Sequence, residues 1–508
     1  MNSLSGTPIL NRTNYKEKNT MGMFVNAIPV KVHIPQNSDF NTFSHELSTN
    51  MLNNLKHQKY SYSQLLEELR TNNSPVGQLY NIVLSYQVTK AYNKDFGNYS
   101  TAWYGTNHSQ VDCTIQITDI NDTGELIVHY DYLEEKYSKK DFQDLHTRIN
   151  YITEQILNRN DINIADIDIV TPEEKNKILS EFNNTTVQYP KSRTILNLFE
   201  DQVIQNPDKT AVIFENEEIT YHELNEKANS LANYLINTGV NHHDVVSILV
   251  NRSIDLIVSI FGVIKSGASF VLIDNSLPEE RIHYMIEDSG AKYCIVDEFL
   301  NEDLRIQLHR YLNTINISKF YYSVYNNENL KLHYEDNLCI IYTSGSTGKP
   351  KGVILHKHGY YNLINAFNTD MNLSDYQRIL GIATISFDMF VFEVFASLLL
   401  GNTLVLANLE EQKDPIAMSK LIQKNQVDFI VTTPSRIDLL LLEECNNPLQ
   451  NVNAILLGGE KLTDSLYRRL REATHAKVYN SFGPTEVTSA CTNNLVKDTD
   501  LTVRKTAS

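Results

Sequence analysis

Hydrophobic and polar positions follow two different rhythms along this chain. In the first region, short period-two stretches sit beside stretches that repeat every three to four residues. The segments 24–34, 79–88, 113–120 and 125–132 predict strands, and 45–58, 62–70 and 140–157 predict helices. In the last of these, Phe142, Leu145, Ile149, Ile152 and Ile156 form one apolar helix face. This mixture reads as α+β up to about residue 170. A junction follows at 171–193, where a short helix opening at Pro172 gives way to polar residues and Pro190.

From residue 194 the pattern turns into regular β/α alternation. Residues 211–220 predict a hairpin around Glu215, Asn216 and Glu217. Thr220 and Glu223 form a capping box for a helix with Leu224, Ala228, Leu231 and Leu235 on one face, stopped at Gly239. An apolar strand (245–250), a helix capped by Ser253 and ended by Gly267, a strand (269–274), a helix opening at Pro278 and a strand (292–297) follow in order. Strands that are apolar throughout, separated by helices, imply a parallel sheet covered on both faces, so the fold class is α/β.

The 508 residues suggest about three folding units. A hydrophobic content of 42% against 21% charged residues allows a sizeable core and argues against wholesale disorder. With 44 Lys and Arg against 61 Asp and Glu the net charge is −17, and no long basic run occurs. Such a chain is not expected to bind nucleic acid or an anionic membrane. Cys113, Cys294, Cys339, Cys445 and Cys491 are far apart and odd in number, which argues against a disulfide framework or zinc site. The most apolar stretch, 389–407, carries Glu393, Gly401 and Asn402, so it reads as a buried helix, turn and strand rather than a membrane span. No signal-peptide pattern opens the chain, and a soluble cytoplasmic setting is the expectation.

Three stretches could carry chemistry. In LCIIYTSGSTGKPKG (338–352) an apolar strand runs into a loop dense in Gly, Ser and Thr. Glycine lets successive backbone N–H groups turn inward as an anion nest, while Thr343, Ser344, Ser346 and Thr347 add hydroxyl donors and Lys349 and Lys351 add charge. This is not a Walker loop, because Gly345 and Gly348 are too close and Pro350 follows the lysine. In NSFGPTE (480–486), Asn480 offers an amide for an adenine edge, Phe482 a stacking face, Thr485 a donor for phosphate and Glu486 a hard oxygen ligand for Mg²⁺. Asp388 lies in an apolar run, where a carboxylate either caps a helix or needs a partner.

The 338–352 string resembles the phosphate loop of adenylate-forming enzymes, specifically the adenylation domains of non-ribosomal peptide synthetases. Five further strings stand in family order: ITYHEL (219–224), IKSGASFVLID (264–274) with Pro278 and Arg281, Phe387 with Asp388, LGGE (457–460) and NSFGPTE (480–486). The first region resembles the C-terminal part of a condensation domain, on Gly6-Thr7-Pro8 with Arg12, MGMFVN (21–26), 57–69 and 79–87.

The resemblance implies a partial condensation lobe at 1–170, a linker at 171–193, and the N-terminal core of an adenylation domain at 194–508 without its C-terminal subdomain. It implies layered β-sheets and helices, and ATP-dependent activation of an amino acid as aminoacyl-AMP. ATP would be held by Thr343, Ser344, Gly345, Ser346, Thr347, Gly348 and Lys351. Gly458, Gly459, Glu460, Asn480, Phe482, Gly483 and Thr485 would complete that site. Thr343, Lys351 and Glu486 would be the catalytic set, with Glu486 on Mg²⁺. Asp388 would grip the α-ammonium of the substrate in a pocket lined by Met389, Phe392, Val431, Leu456, Gly458, Ser481, Ser489 and Ala490. Apart from Asp388 that pocket holds no charge, which predicts a medium or large apolar amino acid. The implied partner is a carrier domain, in cis or trans, bearing the phosphopantetheine that this chain lacks.

Some positions depart from the pattern. Phe482 stands where the family usually has Tyr, and Lys357 where it has His. The condensation motif HHxxxDG is missing, and His242-His243 reads as a polar turn before a strand. The catalytic lysine and ribose-binding aspartate of the mobile subdomain cannot be placed before Ser508, nor can a carrier or GxSxG motif be found. Two alternatives stand beside the main reading: an acyl- or aryl-CoA ligase of the same superfamily, and a non-catalytic remnant that binds ATP and amino acid.

Overall fold

The computed structural model describes residues 2–35, 37–71, 77–89, 111–120, 126–159, 161–190, 193–323, 335–344 and 349–497. Two compact units emerge, one within residues 1–187 and the other within 188–504.

The first unit is built on a mixed sheet of β1 (Asn2–Ile9), β2 (Asn26–His33), β3 (Ile82–Thr89), β4 (Cys113–Ile120) and β5 (Leu126–Tyr132), in the order β2-β1-β3-β4-β5. Its longest helices are α1 (Phe40–Lys56), α2 (Tyr62–Thr71) and α3 (Lys139–Asn158). Asp39 caps α1 by accepting from the Thr42 amide, and Ser138 and Asp141 form a capping box on α3. The hydrophobic pattern marks no strand at β1, since Gly6 and Pro8 are weak strand formers. It forms nevertheless, pairing antiparallel with β2 from Asn2↔His33 to Ile9↔Asn26. Gly6 is required there, since a Cβ would lie 2.3 Å from the Tyr80 ring.

The second unit holds two sheets, in keeping with the layered sheets that the resemblance implies. One contains β8 (Val245–Leu249), β9 (Ser269–Leu272), β10 (Tyr293–Val296), β11 (Asn313–Asn316), β12 (Asn337–Thr343) and β13 (Lys351–His356), in the order β11-β10-β8-β9-β12-β13. The other contains β6 (Thr210–Phe214), β7 (Glu217–Thr220), β14 (Arg378–Gly381), β15 (Thr403–Leu406), β16 (Phe429–Thr432), β17 (Ala454–Leu457), β18 (Lys477–Phe482) and β19 (Thr492–Leu495). Its order is β19-β18-β17-β16-β14-β15-β6-β7. Both are parallel inside and antiparallel only at β13, β7 and β19.

Period-two alternation divides each strand between two cores. Ile379, Leu404, Phe429 and Leu456 join a central core, while Leu380, Val405, Ile430 and Leu457 join an outer one. In the six-stranded sheet Phe270, Ile295 and Ile341 face the same central core, and Val271, Val296 and Ile340 face a third. The result is a layered arrangement in which helices lie between the sheets and outside them. The central layer includes α4 (Tyr221–Asn237), α5 (Ile254–Lys265), α6 (Lys357–Met371) and α7 (Asp388–Leu398). Helices α5 and α7 are buried nearly all round, as their continuous apolar sequences require. Residues 389–407 therefore form a helix, turn and strand; no helix among the described residues is long and apolar enough to cross a membrane.

Candidate functional site

A cavity opens at the C-terminal ends of β16, β17 and β18, where a parallel sheet commonly places its site. Its closed part measures about 100 Å³, and its mouth is open to solvent. Met389 and Phe392 reach it from α7, Val431 from β16, Leu456 and Gly458 from the end of β17, and Ser481 from β18. Asp388, Ser489 and Ala490 complete the nine residues that the sequence grouped as a substrate pocket, and all nine line this one cavity. Gly459 and Gly483, expected near the nucleotide, line it as well. Phe367 from α6 was not anticipated. It continues an apolar stripe with Tyr360 and Ile364, and such a stripe signals burial without saying what it faces.

Asp388 is the one charged residue on the lining. It is the first residue of α7, directly after Phe387 at the N-cap position. Burial raises its carboxyl above the usual value, opposed by hydrogen bonds from Thr485, the Met389 amide and Ser489. Among the described residues no Lys, Arg or His is paired with it. A half-buried carboxylate in an apolar cavity, held by neutral donors alone, suits an incoming ammonium group.

The turn before Asp388 is fixed by a buried pair. The Arg252 guanidinium donates to the carbonyls of Ala407 (2.5 Å), Ala383 (2.7 Å) and Gly381. Glu393, fully buried on α7, accepts from the Ala383 amide with both oxygens (3.0 and 3.1 Å). Burial pushes its carboxyl up to about 8, against the charge of Arg252 and the backbone amides. The folded state therefore holds a proton at Glu393 that the unfolded chain releases near 4.5. Stability that is complete below pH 4.5 is lost as pH rises towards 8, on the order of a few kcal/mol. Glu393→Gln is expected to flatten that slope, checked by denaturant unfolding of wild type and variant at pH 5 and pH 8.

The remaining expected residues lie in three stretches, at 343–351, at Glu460 and at 480–486. Thr343 and Lys351 face each other where β12 and β13 diverge, with the Thr343 hydroxyl 3.5 Å from the Lys351 carbonyl. Ser344 and Lys351 are exposed; Gly345, Ser346, Thr347 and Gly348 lie outside the described residues. Lys349 sits 5.7 Å over the Tyr284 ring, and the Tyr284 hydroxyl donates to the Pro350 carbonyl (3.2 Å). Asn480, half-buried, and Phe482, 68% exposed, close β18. Thr485 and the exposed Glu486 stand on a single 3₁₀ turn beyond it. Glu460 has both oxygens occupied by Ser435, at the first turn of α8 (Pro434–Leu439): 2.9 Å to the amide and 2.8 Å to the hydroxyl.

Lys357 is fully buried at the start of α6, and its ammonium meets Asp336 at 3.2 Å. His242 Nε2 reaches the same carboxylate oxygen at 3.0 Å. Donor atoms of His242, His243 and Asp336 lie within 4.8 Å of one another, but a buried ammonium on that carboxylate opposes a divalent ion. The histidine pair is thus a polar turn tied to an ion pair.

Residues 199–507 match the AMP-binding enzyme family, and residues 1–179 match the Condensation domain family. Gramicidin S synthase 2 of Brevibacillus brevis is 32% identical over 493 residues, which are 95% of this chain and 11% of that protein. This chain therefore spans about a tenth of that relative's length. A solved holo four-domain nonribosomal peptide synthetase bound to AMP and glycine matches with a TM-score of 0.83 at 20% identity, covering 98% of this chain and 38% of that one. The Klebsiella oxytoca NpsA N-terminal subdomain in complex with 3-hydroxybenzoyl-AMSN matches with a TM-score of 0.53 at 26% identity, covering 60% of this chain and 76% of that one.

Proposed function

We propose that this chain, which belongs to the AMP-binding enzyme family and carries a condensation-type region ahead of its AMP-binding region, activates an amino acid as aminoacyl-AMP within a nonribosomal peptide synthetase. The observation that carries this reading is Asp388, the single charge on an otherwise neutral cavity. Its carboxylate pairs with the α-ammonium, and the side chain of the substrate extends among Phe367, Met389, Phe392, Val431 and Leu456. Neutral walls, with the small residues Gly458, Ser481, Ser489 and Ala490 leaving room between the apolar ones, support a medium or large apolar amino acid over Lys, Arg, Asp or Glu. The AMP and glycine of the four-domain neighbour support a nucleotide beside an amino acid.

The substrate carboxylate attacks the α-phosphorus of ATP. A carboxyl oxygen–phosphorus bond forms, the bond to the bridging oxygen breaks, and pyrophosphate leaves. The chain contributes position and charge rather than a covalent intermediate. The open face of Phe482 stacks the adenine and the Asn480 amide meets its edge, while Thr343 and Lys351 flank the phosphate path. Glu486, an exposed carboxylate beside the cavity, fits one hard-oxygen contact to Mg²⁺, which when bound neutralises phosphate charge. The acceptor is a phosphopantetheine thiol on a carrier domain, in cis or in trans.

The test compares ATP–pyrophosphate exchange driven by leucine, methionine and phenylalanine with exchange driven by 4-methylpentanoate, 4-(methylsulfanyl)butanoate and 3-phenylpropanoate. At least one of the amino acids is expected to exceed its des-amino analogue by roughly a hundredfold. Equal rates would point to an acyl-CoA ligase instead. Nucleotide and amino-acid binding without exchange would point to a non-catalytic remnant.

A further inference from the structure

The cavity wall formed by Ser489 and Ala490 has an unusual support. Thr488 and Ser489 both adopt left-handed backbone conformations, with φ of 65° and 67°. Two successive non-glycine residues in that region hold their shape only when their surroundings impose it. The surroundings here are the first turn of α6. At its third residue, Gly359, an added Cβ would lie 2.7 Å from the Thr488 hydroxyl and 3.3 Å from its Cγ2. Glycine weakens a helix relative to alanine, so its presence at this position fits a close approach rather than helix formation.

The next residue completes the seat. Tyr360 is fully buried, and its hydroxyl lies 3.4 Å from both the Ser489 hydroxyl and the Asp388 carbonyl. Its ring packs edge-on against Phe395 of α7, with centroids 5.3 Å apart at 87°. One phenol therefore touches both the turn that carries Ser489 and the start of the helix that carries Asp388. Burial keeps that phenol protonated, so it remains a donor.

We infer that Gly359 and Tyr360 are positioning residues, which set the 488–490 wall of the cavity against Asp388 and so decide how an amino acid is gripped. They touch neither nucleotide nor amino acid in this account. The inference rests on the amino-acid reading of the cavity, but the seating of the turn can be measured without it.

The test is a coupled pair of variants in the full chain. Gly359→Ala is expected to raise the KM for the best-exchanging amino acid by roughly tenfold or more, with the KM for ATP unchanged. Thr488→Ala in the same chain removes the hydroxyl and methyl that a Cβ at 359 would meet, and is expected to restore the amino-acid KM. Tyr360→Phe keeps the ring and removes the hydroxyl; a severalfold rise in the same KM is expected. Amide hydrogen exchange across 485–491 supplies a readout that needs no activity. The Thr488, Ala490 and Cys491 amides bond to Thr485, Thr488 and Phe482 carbonyls at 2.9, 2.8 and 2.9 Å, and should exchange faster in Gly359→Ala and recover in the double variant. A wild type without amino-acid-dependent exchange would remove the functional reading, while hydrogen exchange would still decide the positioning claim. The claim is overturned if 485–491 exchange is unchanged in Gly359→Ala, if Thr488→Ala rescues neither readout, or if Tyr360→Phe leaves the amino-acid KM unmoved in an active wild type.

Discussion

Asp388→Asn is expected to weaken amino-acid binding by roughly a hundredfold or more, while ATP binding stays within about twofold. The asparagine is nearly isosteric and keeps hydrogen-bond capacity towards Thr485 and Ser489, so the cavity keeps its shape. What disappears is the charge that meets the ammonium, in surroundings where few other groups compensate. The same change is expected to leave the folded protein as stable as wild type or more so. Burial raises the Asp388 carboxyl above 3.8, so the folded state binds more protons than the unfolded chain over the interval between the two values. Stability is therefore complete below 3.8 and declines as pH rises through the folded value; Asn removes that decline. Loss of affinity with an unchanged or raised Tm is the signature of a group kept for binding rather than folding. Titration calorimetry with leucine, methionine and phenylalanine, ATP as control and a melting curve would check it. A variant that melts lower while retaining amino-acid affinity would mean that Asp388 serves the fold.

The second large effect is expected from Gly483→Ala. A Cβ at this position would lie 2.4 Å from Ala490 Cα and 2.8 Å from both the Cys491 nitrogen and the Ser489 carbonyl oxygen. All three are backbone atoms, so no side-chain rotation relieves the contact. The end of β18 and the return segment at 489–491 must separate. The Cys491 amide bonds to the Phe482 carbonyl at 2.9 Å, so separation breaks the link where β18 ends. Phe482 would move on one side of the break, and Ser489 and Ala490 on the other. The expected result is a loss of about 2–3 kcal/mol in stability and a fall of roughly a hundredfold in exchange activity, with amino acid and ATP both affected. This separates it from Asp388→Asn, which spares ATP. Denaturant unfolding and exchange kinetics on the same preparation would read both.

The chain shows its local structure more clearly than its assembly. The capping boxes at Thr220 and Glu223 and at Thr171 and Glu174 are present where the residue pattern places helix starts. The stops at Gly239 and Gly267 both take positive φ, as their places just beyond the helices require. Strand β1 was hidden because its Gly and Pro are weak strand formers, and only pairing with β2 makes it a strand. The resemblance implied layered sheets in the second unit, but the apolar pattern alone does not assign each strand to one sheet or the other. An apolar strand announces that both faces are covered, not which other strands lie beside it. The cavity shows the same limit. Its nine expected residues come from five separated stretches and meet in one place, yet Phe367 and the seat at Gly359 and Tyr360 depend on how α6 packs. A glycine in the first turn of α6 hints at a close approach, but the local pattern does not say what approaches it or what Phe367 and Tyr360 face.

The most direct measurement of the central claim is mass spectrometry of the nucleotide formed when this chain is incubated with ATP, Mg²⁺ and an equimolar mixture of the twenty amino acids. The account predicts an adduct with the mass of AMP joined to one apolar amino acid, formed with release of pyrophosphate and absent from Asp388→Asn. Unreacted ATP alone, or an adduct to a lysine, arginine, aspartate or glutamate substrate, would contradict it.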